Sequence, residues 1–393
     1  MTGKRRSYIA TGTLILGLAA GAVIGGNSRS FLSTESGKHE SGLAFAQTQS
    51  YGLPEYERAV ISATQKALPA VVSISVYGTR TYVIRDPLMQ MLYGGRIRRQ
   101  QVSGMGSGVI IDPEGIIITN DHVVTIARET RGSLQVTLTD GRTFEAEIVK
   151  SFPMQDIAIL RISGEDLPHL TFGKSSEIMQ GQTAIAIGNP FGSNLTDGLS
   201  GGEPTVTRGV ISATKRSLTM ANQNYERYYR NMLQTDASIN EGNSGGALID
   251  IEGNLIGINT AIYTAGGTGS IGIGFAIPSD RVKLILDQVN RYGDIQETYS
   301  GIMVDEVTQS IRQALDLGNL GGAIVTSLSK DSPGEMAGFK RGDIVTAVNG
   351  LIVTSFKETN SMFRGAIPGE IFTLTIFRDG SFKEIDLTLG MKQ

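Results

Sequence analysis

Residues 242–248 read GNSGGAL, and the reading of Ser244 within them decides what kind of chain this is. A serine set between glycines can occupy a sharp turn with its hydroxyl exposed, because Gly242 and Gly245 adopt backbone angles that other residues resist. The N–H groups of Gly242 and Ser244 can then point at one spot and bind a developing oxyanion. By itself the stretch also fits an ordinary glycine-rich hairpin. It further matches G-x-S-x-G, the nucleophile elbow of α/β-hydrolases, but that elbow needs its histidine after the serine. The chain has three histidines, His39, His122 and His169, and none follows Ser244, so the elbow is excluded.

A serine hydroxyl is a poor nucleophile until a base takes its proton. His39 lies in a polar, aperiodic stretch, and His169 sits in DLPHLTFG with no orienting acid nearby. His122 ends the apolar run GIIITNDH, where a strand gives way to a turn, a firm place for a base. A base also needs a buried acceptor to fix its tautomer and stabilise its cation. Asp156 in MQDIAILRI stands directly before an apolar strand. The order His122, Asp156, Ser244 is that of the chymotrypsin triad.

Outward from these residues the pattern from Val71 to Ile277 is mostly β. The stretches 110–119, 134–149 and 248–262 each read as strand, acidic-glycine turn, strand, which is a hairpin signal. Many short strands with regular turns suggest barrels or sandwiches. The segment Arg80 to Gln101 reads as a long surface loop. Tyr56–Leu68 and Ser279–Arg291 read as helices, the latter capped by Ser279 or Asp280. After Gly293 strands return, with a closing hairpin turned at Asp379-Gly380 and a helix at about Ser355–Arg364. The expected divisions are an anchor or signal over 1–30, a tether over 31–55, a first domain over 56–292 and a second over 293–393.

At the N-terminus Lys4, Arg5 and Arg6 precede an apolar run from Tyr8 to Gly26. This reads as an export signal or, more simply, an uncleaved single-pass membrane anchor helix with the remainder outside the cytoplasm. The formal net charge of -3 gives no basic excess for nucleic-acid binding. With no cysteine, disulfides, thiolate nucleophiles and Cys-based zinc sites are all excluded. The scattered histidines give no metal site, and the chemistry implied needs no cofactor. GTGSIG (267–272) precedes a strand rather than a helix, so it is no dinucleotide loop. SATK (212–215) lacks the partner motifs of penicillin-binding enzymes.

TNDHVV (119–124), DIAILRI (156–162), IAIGNPFG (185–192), TRGVISA (207–213), QTDASINEGNSGGAL (234–248) and GIGFAIPSD (272–280) resemble, in that order, the HtrA/Deg family of serine proteases. The resemblance implies a mainly β chain: a trypsin-like pair of six-stranded β-barrels with the active site between them, followed by a PDZ domain. It implies His122, Asp156 and Ser244 as the triad, Gly242 and Ser244 as oxyanion donors, and Ile239 and Ile273 in the primary specificity pocket. YSGI (299–302) resembles the PDZ loop that binds a peptide's C-terminal carboxylate, which would make Tyr299, Ser300, Gly301 and Ile302 a peptide site. The family usually has Asn before the histidine. Here Asp121 stands there, and alternation along a strand predicts little effect on the geometry of His122.

The implied activity is endopeptidase cleavage of unfolded or damaged exported proteins in a bacterial cell envelope, by a homotrimer whose PDZ domain binds peptide C-termini. The rivals are a non-catalytic PDZ chaperone or stress sensor, and a regulatory protease with one dedicated substrate. No acid occupies the position six before the serine, which is Ser238. Mapping of cleavage sites is therefore expected to show cuts after small or medium aliphatic residues, and predominant cutting after Lys or Arg would contradict this pocket.

Overall fold

The computed structural model describes residues 52–83, 97–189, 203–221, 226–240, 242–260, 270–314, 316–318 and 320–392. The apolar run at 8–26, read as an anchor, and the tether with His39 lie outside the described residues. Among the described residues no helix is long and apolar enough to cross a membrane.

The first domain opens with helix α1 (Glu55–Ala67), whose Ala63 and Ala67 are buried. A sheet follows, built from β1 (Val71–Val83), β2 (Ile97–Ile110), β3 (Ile116–Thr119), β4 (Ser133–Thr137), β5 (Thr143–Glu145), β6 (Glu147–Phe152) and β7 (Ile157–Arg161), with helix α2 (Asp121–Thr130) after β3. Its strand order is β5-β4-β1-β2-β3-β7-β6. The two edge strands, β5 and β6, are separated only by Ala146, whose N–H still bonds the Leu134 carbonyl. One bent strand thus serves both edges, and the seven segments amount to the six strands of a closed barrel. Strands β8 (Thr183–Gly188), β9 (Thr205–Ala221), β10 (Glu226–Thr235), β11 (Ala247–Ile249), β12 (Leu255–Thr260) and β13 (Gly274–Pro278) close the second barrel. Helix α3 (Ser279–Tyr292) ends it.

The barrels meet because their central strands are apolar on both faces. Side chains alternate between the faces of a strand. Ala158 and Leu160 of β7 lie in the first barrel's core with Ile74, Ile110 and Ile117. Ala184 and Ala186 of β8 fill the second with Leu248 and Ile256. The intervening isoleucines, Ile157 and Ile159 on β7 and Ile185 and Ile187 on β8, share a cluster with Ile118 of β3, and this cluster joins the barrels.

Two local expectations change. Arg80–Val83 and Ile97–Gln101 are strand, paired as the outer end of the long β1–β2 ladder, so the segment expected to be loop extends a hairpin instead. Helix α3 has Pro278 at its N-cap and no side-chain cap. Ser279 donates its hydroxyl to the Gly173 carbonyl, and Asp280 accepts from the Ser176 N–H, so both residues tie the helix to a neighbouring loop.

The second domain holds β14 (Thr298–Tyr299), β15 (Ile302–Glu306), α4 (Gln309–Ala314), β16 (Ala323–Leu328), α5 (Pro333–Met336), β17 (Ile344–Val348), β18 (Leu351–Ile352), α6 (Phe356–Ser361), β19 (Ile371–Arg378), β20 (Ser381–Thr388) and β21 (Gly390–Met391). Its main sheet runs β15-β16-β17-β19-β20 around Val325, Val345, Phe372, Leu374 and Ile376. Asp379 and Gly380 both take positive φ, at 51° and 74°, as a type I′ hairpin turn demands.

The segment between α6 and β19 is anchored in the first domain. Arg230 of β10 donates to the carbonyls of Ser361 and Arg364. Arg281 of α3 donates to the Gly365 carbonyl and pairs with Glu370. Ile367 is fully buried within the cluster that includes Tyr229, Met232, Val282 and Ile285. Burial, reinforced by the like charge of Arg281, draws the Arg230 guanidinium down to about 10.

Truncating a seam residue leaves a cavity between the barrels. Ile187→Ala is expected to cost about 2–5 kcal/mol. Ile352→Ala, at a position 79% exposed, is expected to stay within about 0.5 kcal/mol. Urea midpoints of the two variants check this contrast.

Candidate active site

His122, Asp156 and Ser244 come from three separate segments on this seam. His122 is the second residue of α2, in its first turn directly after β3, and not a strand residue. Asp156 precedes β7 in the left-handed region, φ 55°, where an aspartate is tolerated better than most side chains. The Asn120 amide holds the Asp156 carbonyl at 3.0 Å.

The Asp156 carboxylate is fully buried. His122 Nδ1 lies 3.0 and 2.9 Å from its two oxygens. The His122 backbone N–H, at the open end of α2, donates to Oδ1 at 3.1 Å. From the second barrel, the Tyr229 hydroxyl donates to Oδ2 at 2.8 Å and the Thr260 hydroxyl at 3.3 Å, while Arg227 Nε approaches Oδ1 at 3.3 Å. Burial pushes the carboxyl up, but His122, the Arg227 charge and the Tyr229 hydrogen bond outweigh it and hold it below the usual carboxylate range. Burial, with the neighbouring Asp156 charge, raises the Tyr229 phenol, which therefore stays a donor. With Nδ1 donating to Asp156, the imidazole keeps Nε2 as its acceptor.

The loop carrying Ser244 is held from both barrels. Ser107 of β2 donates its hydroxyl to the Gly242 carbonyl at 2.6 Å, accepts from the Asn189 N–H at 2.8 Å, and donates its own N–H to the Ser244 carbonyl at 2.9 Å. Thr119, three residues before His122, donates its hydroxyl to the Ser107 carbonyl at 2.7 Å. Downstream, Gly245 N–H bonds the Asn259 carbonyl, and the Asn259 amide bonds Ala247. Asn243 N–H closes a turn onto the Asn240 carbonyl, with Gly242 third in that turn at φ 95°. A type I turn does not take positive φ at its third position.

Of the expected pocket residues, Ile239 is buried against the backbone of Gly274, which has no side chain to spare it. Ile273, just before β13, is 40% exposed. In the second domain Tyr299 pairs in the short β14–β21 ladder, and Gly301 takes φ 69°. The Ser300 carbonyl accepts from Gly334 N–H, its hydroxyl accepts from Ile302 N–H, and Ile302 opens β15, an edge strand of the sheet. Asp121 departs from expectation. It starts α2 rather than sitting on a strand, is fully buried, and forms ion pairs with Arg227 and Arg128. Sequence reasoning missed Ser107, Arg227, Tyr229 and Thr260. Only Ser107 left a trace, as a lone hydroxyl among the glycines of GMGSG.

A trypsin-like peptidase domain model matches residues 106–258, and a PDZ domain model matches residues 269–389. Over 380 residues the chain is 36% identical to the periplasmic serine endoprotease DegP of Escherichia coli K12, covering 88% of this chain and 75% of that protein. It is 40% identical over 289 residues to a probable periplasmic serine endoprotease DegP-like protein of Chlamydia pneumoniae, covering 72% of this chain and 54% of that one. The chain thus spans about half the length of the chlamydial relative. The solved structure of the HtrA-type protease AlgW with a tripeptide superposes with a TM-score of 0.53 at 32% identity, covering 86% of this chain and 98% of that one. Two barrels joined along one seam, followed by a PDZ domain, define a trypsin-like serine peptidase with a PDZ module. Within that class the chain belongs to the HtrA/Deg family of serine proteases.

Gly245 has no room for a side chain: at φ 85°, a Cβ would collide with the Ser107 carbonyl oxygen and the Thr119 hydroxyl. Gly245→Ala is therefore expected to lower stability by at least about 1–3 kcal/mol and to displace the Ser244 loop. Thermal unfolding, read beside reactivity of Ser244, measures both effects.

Proposed function

We propose that the chain is a serine endopeptidase that degrades unfolded or damaged proteins outside the cytoplasm of a bacterium, under control of its PDZ domain. The observation that carries this reading is the buried Asp156 carboxylate gripping His122 Nδ1 with both oxygens, on the same seam where Ser107 and Thr119 tie the Ser244 loop to the first barrel. His122 Nε2 takes the proton from Ser244 as its oxygen attacks the scissile carbonyl, and Asp156 steadies the imidazolium. The positive φ at Gly242, which a type I turn does not take, supports its N–H, with that of Ser244, as the oxyanion donors. Each such donor is worth roughly 3–4 kcal/mol. His122 then protonates the departing amine, and water releases the acyl group.

Ile239 and Ile273 form the aliphatic specificity pocket in this reading. Tyr299, Ser300, Gly301 and Ile302 receive a peptide's C-terminal carboxylate, and the peptide adds as a strand to the edge offered by β15. The relatives, two of them periplasmic proteases and a third solved with a bound tripeptide, support the compartment and the ligand class. The basic cluster before the apolar run at 8–26 supports an anchor in residues 1–30, with a tether over 31–55, the protease over 56–292 and the PDZ domain over 293–393. The assembly proposed is a homotrimer.

A fluorophosphonate probe tests the reading. Labelling of the wild-type chain, abolished in Ser244→Ala and increased by a C-terminal peptide, is the expected result. Absence of labelling with every peptide tried would favour a binding protein without catalysis. Digestion of only one member of a panel of unfolded proteins would favour a dedicated regulatory protease.

A further inference from the structure

Two charged side chains touch the triad without belonging to it. Asp121 immediately precedes His122 and is fully buried. Arg227 reaches across from β10 with about 10% of its side chain exposed. Its Nη2 lies 3.2 Å from Asp121 Oδ2, and its Nε lies 3.3 Å from Asp156 Oδ1. One guanidinium therefore bridges two buried carboxylates, one adjoining the imidazole in sequence and the other hydrogen-bonded to it.

The remaining neighbours can be named. On α2, Arg128 Nε stands 3.4 Å from Asp121 Oδ1 with 37% of its side chain exposed, so water screens it more than Arg227. Thr125 donates to the Asp121 carbonyl, and Ser151 of β6 donates to its Oδ1. Tyr229 of β10 and Thr260 of β12 both bond Asp156 Oδ2. Each Asp156 oxygen thus has its own attachment to the second barrel: Arg227 on Oδ1, and the two hydroxyls on Oδ2.

The charges have opposing effects on the reaction. His122 gains a proton when Ser244 attacks, so nearby anions favour that step and nearby cations oppose it. Arg227 fixes the Asp156 carboxylate but brings a positive charge beside the imidazole. Asp121 brings the compensating negative charge to the same place. A neutral side chain at 121 would leave the guanidinium half-paired, and a neutral one at 227 would leave a second buried carboxylate next to His122.

We propose that Arg227 and Asp121 are positioning residues of the triad: Arg227 locks the Asp156 carboxylate toward His122, and Asp121 cancels the charge this introduces, so that the pair sets the lower pH limit of the reaction. The inference rests on the triad assigned under the proposed function. The electrostatic balance at the pair agrees with it. Burial draws the Arg227 guanidinium down, but the Asp156 charge, Tyr229 and Asp121 outweigh burial and leave it raised.

The test is the rate of fluorophosphonate labelling of the full-length chain as a function of pH, for wild type, Asp121→Asn, Arg227→Gln and the double variant. The acid limb of the wild-type profile is the reference. Asp121→Asn is expected to move it about one pH unit lower, and Arg227→Gln about one unit higher. The double variant, in which both charges are gone, returns it close to wild type. A pair that only supports the fold would lower the labelling rate or the unfolding temperature and leave the limb in place, and that result overturns the inference. If Arg227→Gln does not fold, Asp121→Asn and the double variant decide alone, since Asp121→Asn keeps the arginine and the double variant leaves one buried carboxylate, Asp156, without it rather than two. Equal limbs in those two would overturn it. Wild type that is never labelled defeats the triad reading itself, whereas labelling with an unmoved limb defeats only this inference.

Discussion

A carboxylate without access to water lies at the joint of this molecule, and the arrangement around it follows from satisfying that charge. Asp156 is sealed by the isoleucines that join the barrels, so its oxygens must find donors inside the protein. They find them on both sides: the imidazole and the open end of α2 from the first barrel, and Tyr229 and Thr260 from the second, where Arg227 adds its charge as an ion pair. Burial alone would neutralise the group. The donors keep it ionised, and an ionised Asp156 is what an imidazole must face if it is to accept a proton. The same bonds that satisfy the charge hold the two barrels in register.

Ser107 carries the complementary connection. Its hydroxyl and N–H grip the loop around Ser244, while its carbonyl is held by Thr119, a short distance along the chain from His122. The strand end before His122 and the loop of Ser244 are thus referred to one residue of β2. The close approach is possible because Gly245 offers no side chain to this contact.

Much of this architecture was legible in the sequence. The hairpins at Asp112–Gly115, Asp140–Gly141 and Asp379–Gly380 are local, and local turn chemistry announces itself in adjacent residues. The pairing of His122 with Asp156 was legible from chain order and from the scarcity of histidines, which left few candidates for a base in the chymotrypsin order. Arg227 and Tyr229 did not emerge. They meet Asp156 only because the second barrel folds β10 across the seam, and in sequence ERYYRN reads as an amphipathic strand and nothing more. The strand argument for Asp121 failed for a similar reason. The chain turns into α2 at that residue, and the first turn of a helix, unlike a strand, packs neighbouring side chains toward the same buried surface. The β1–β2 ladder was hidden by composition: Arg80–Gln101 mixes apolar and basic residues without strand alternation, yet its ends pair because the strands before and after them already do.

Ile367 belongs by sequence to the peptide-binding module and by packing to the enzyme. Its neighbours Arg364, Gly365 and Glu370 are clasped by Arg230 and Arg281, and the Gln155 amide, next to Asp156, reaches the same Gly365 carbonyl. Deleting the C-terminal module would therefore uncover part of the enzyme's own interior and orphan two sunken guanidinium groups. The fragment left would be a damaged enzyme rather than a liberated one. Anything that shifts this module as a body pulls on a plug that Gln155, the residue before Asp156, also holds.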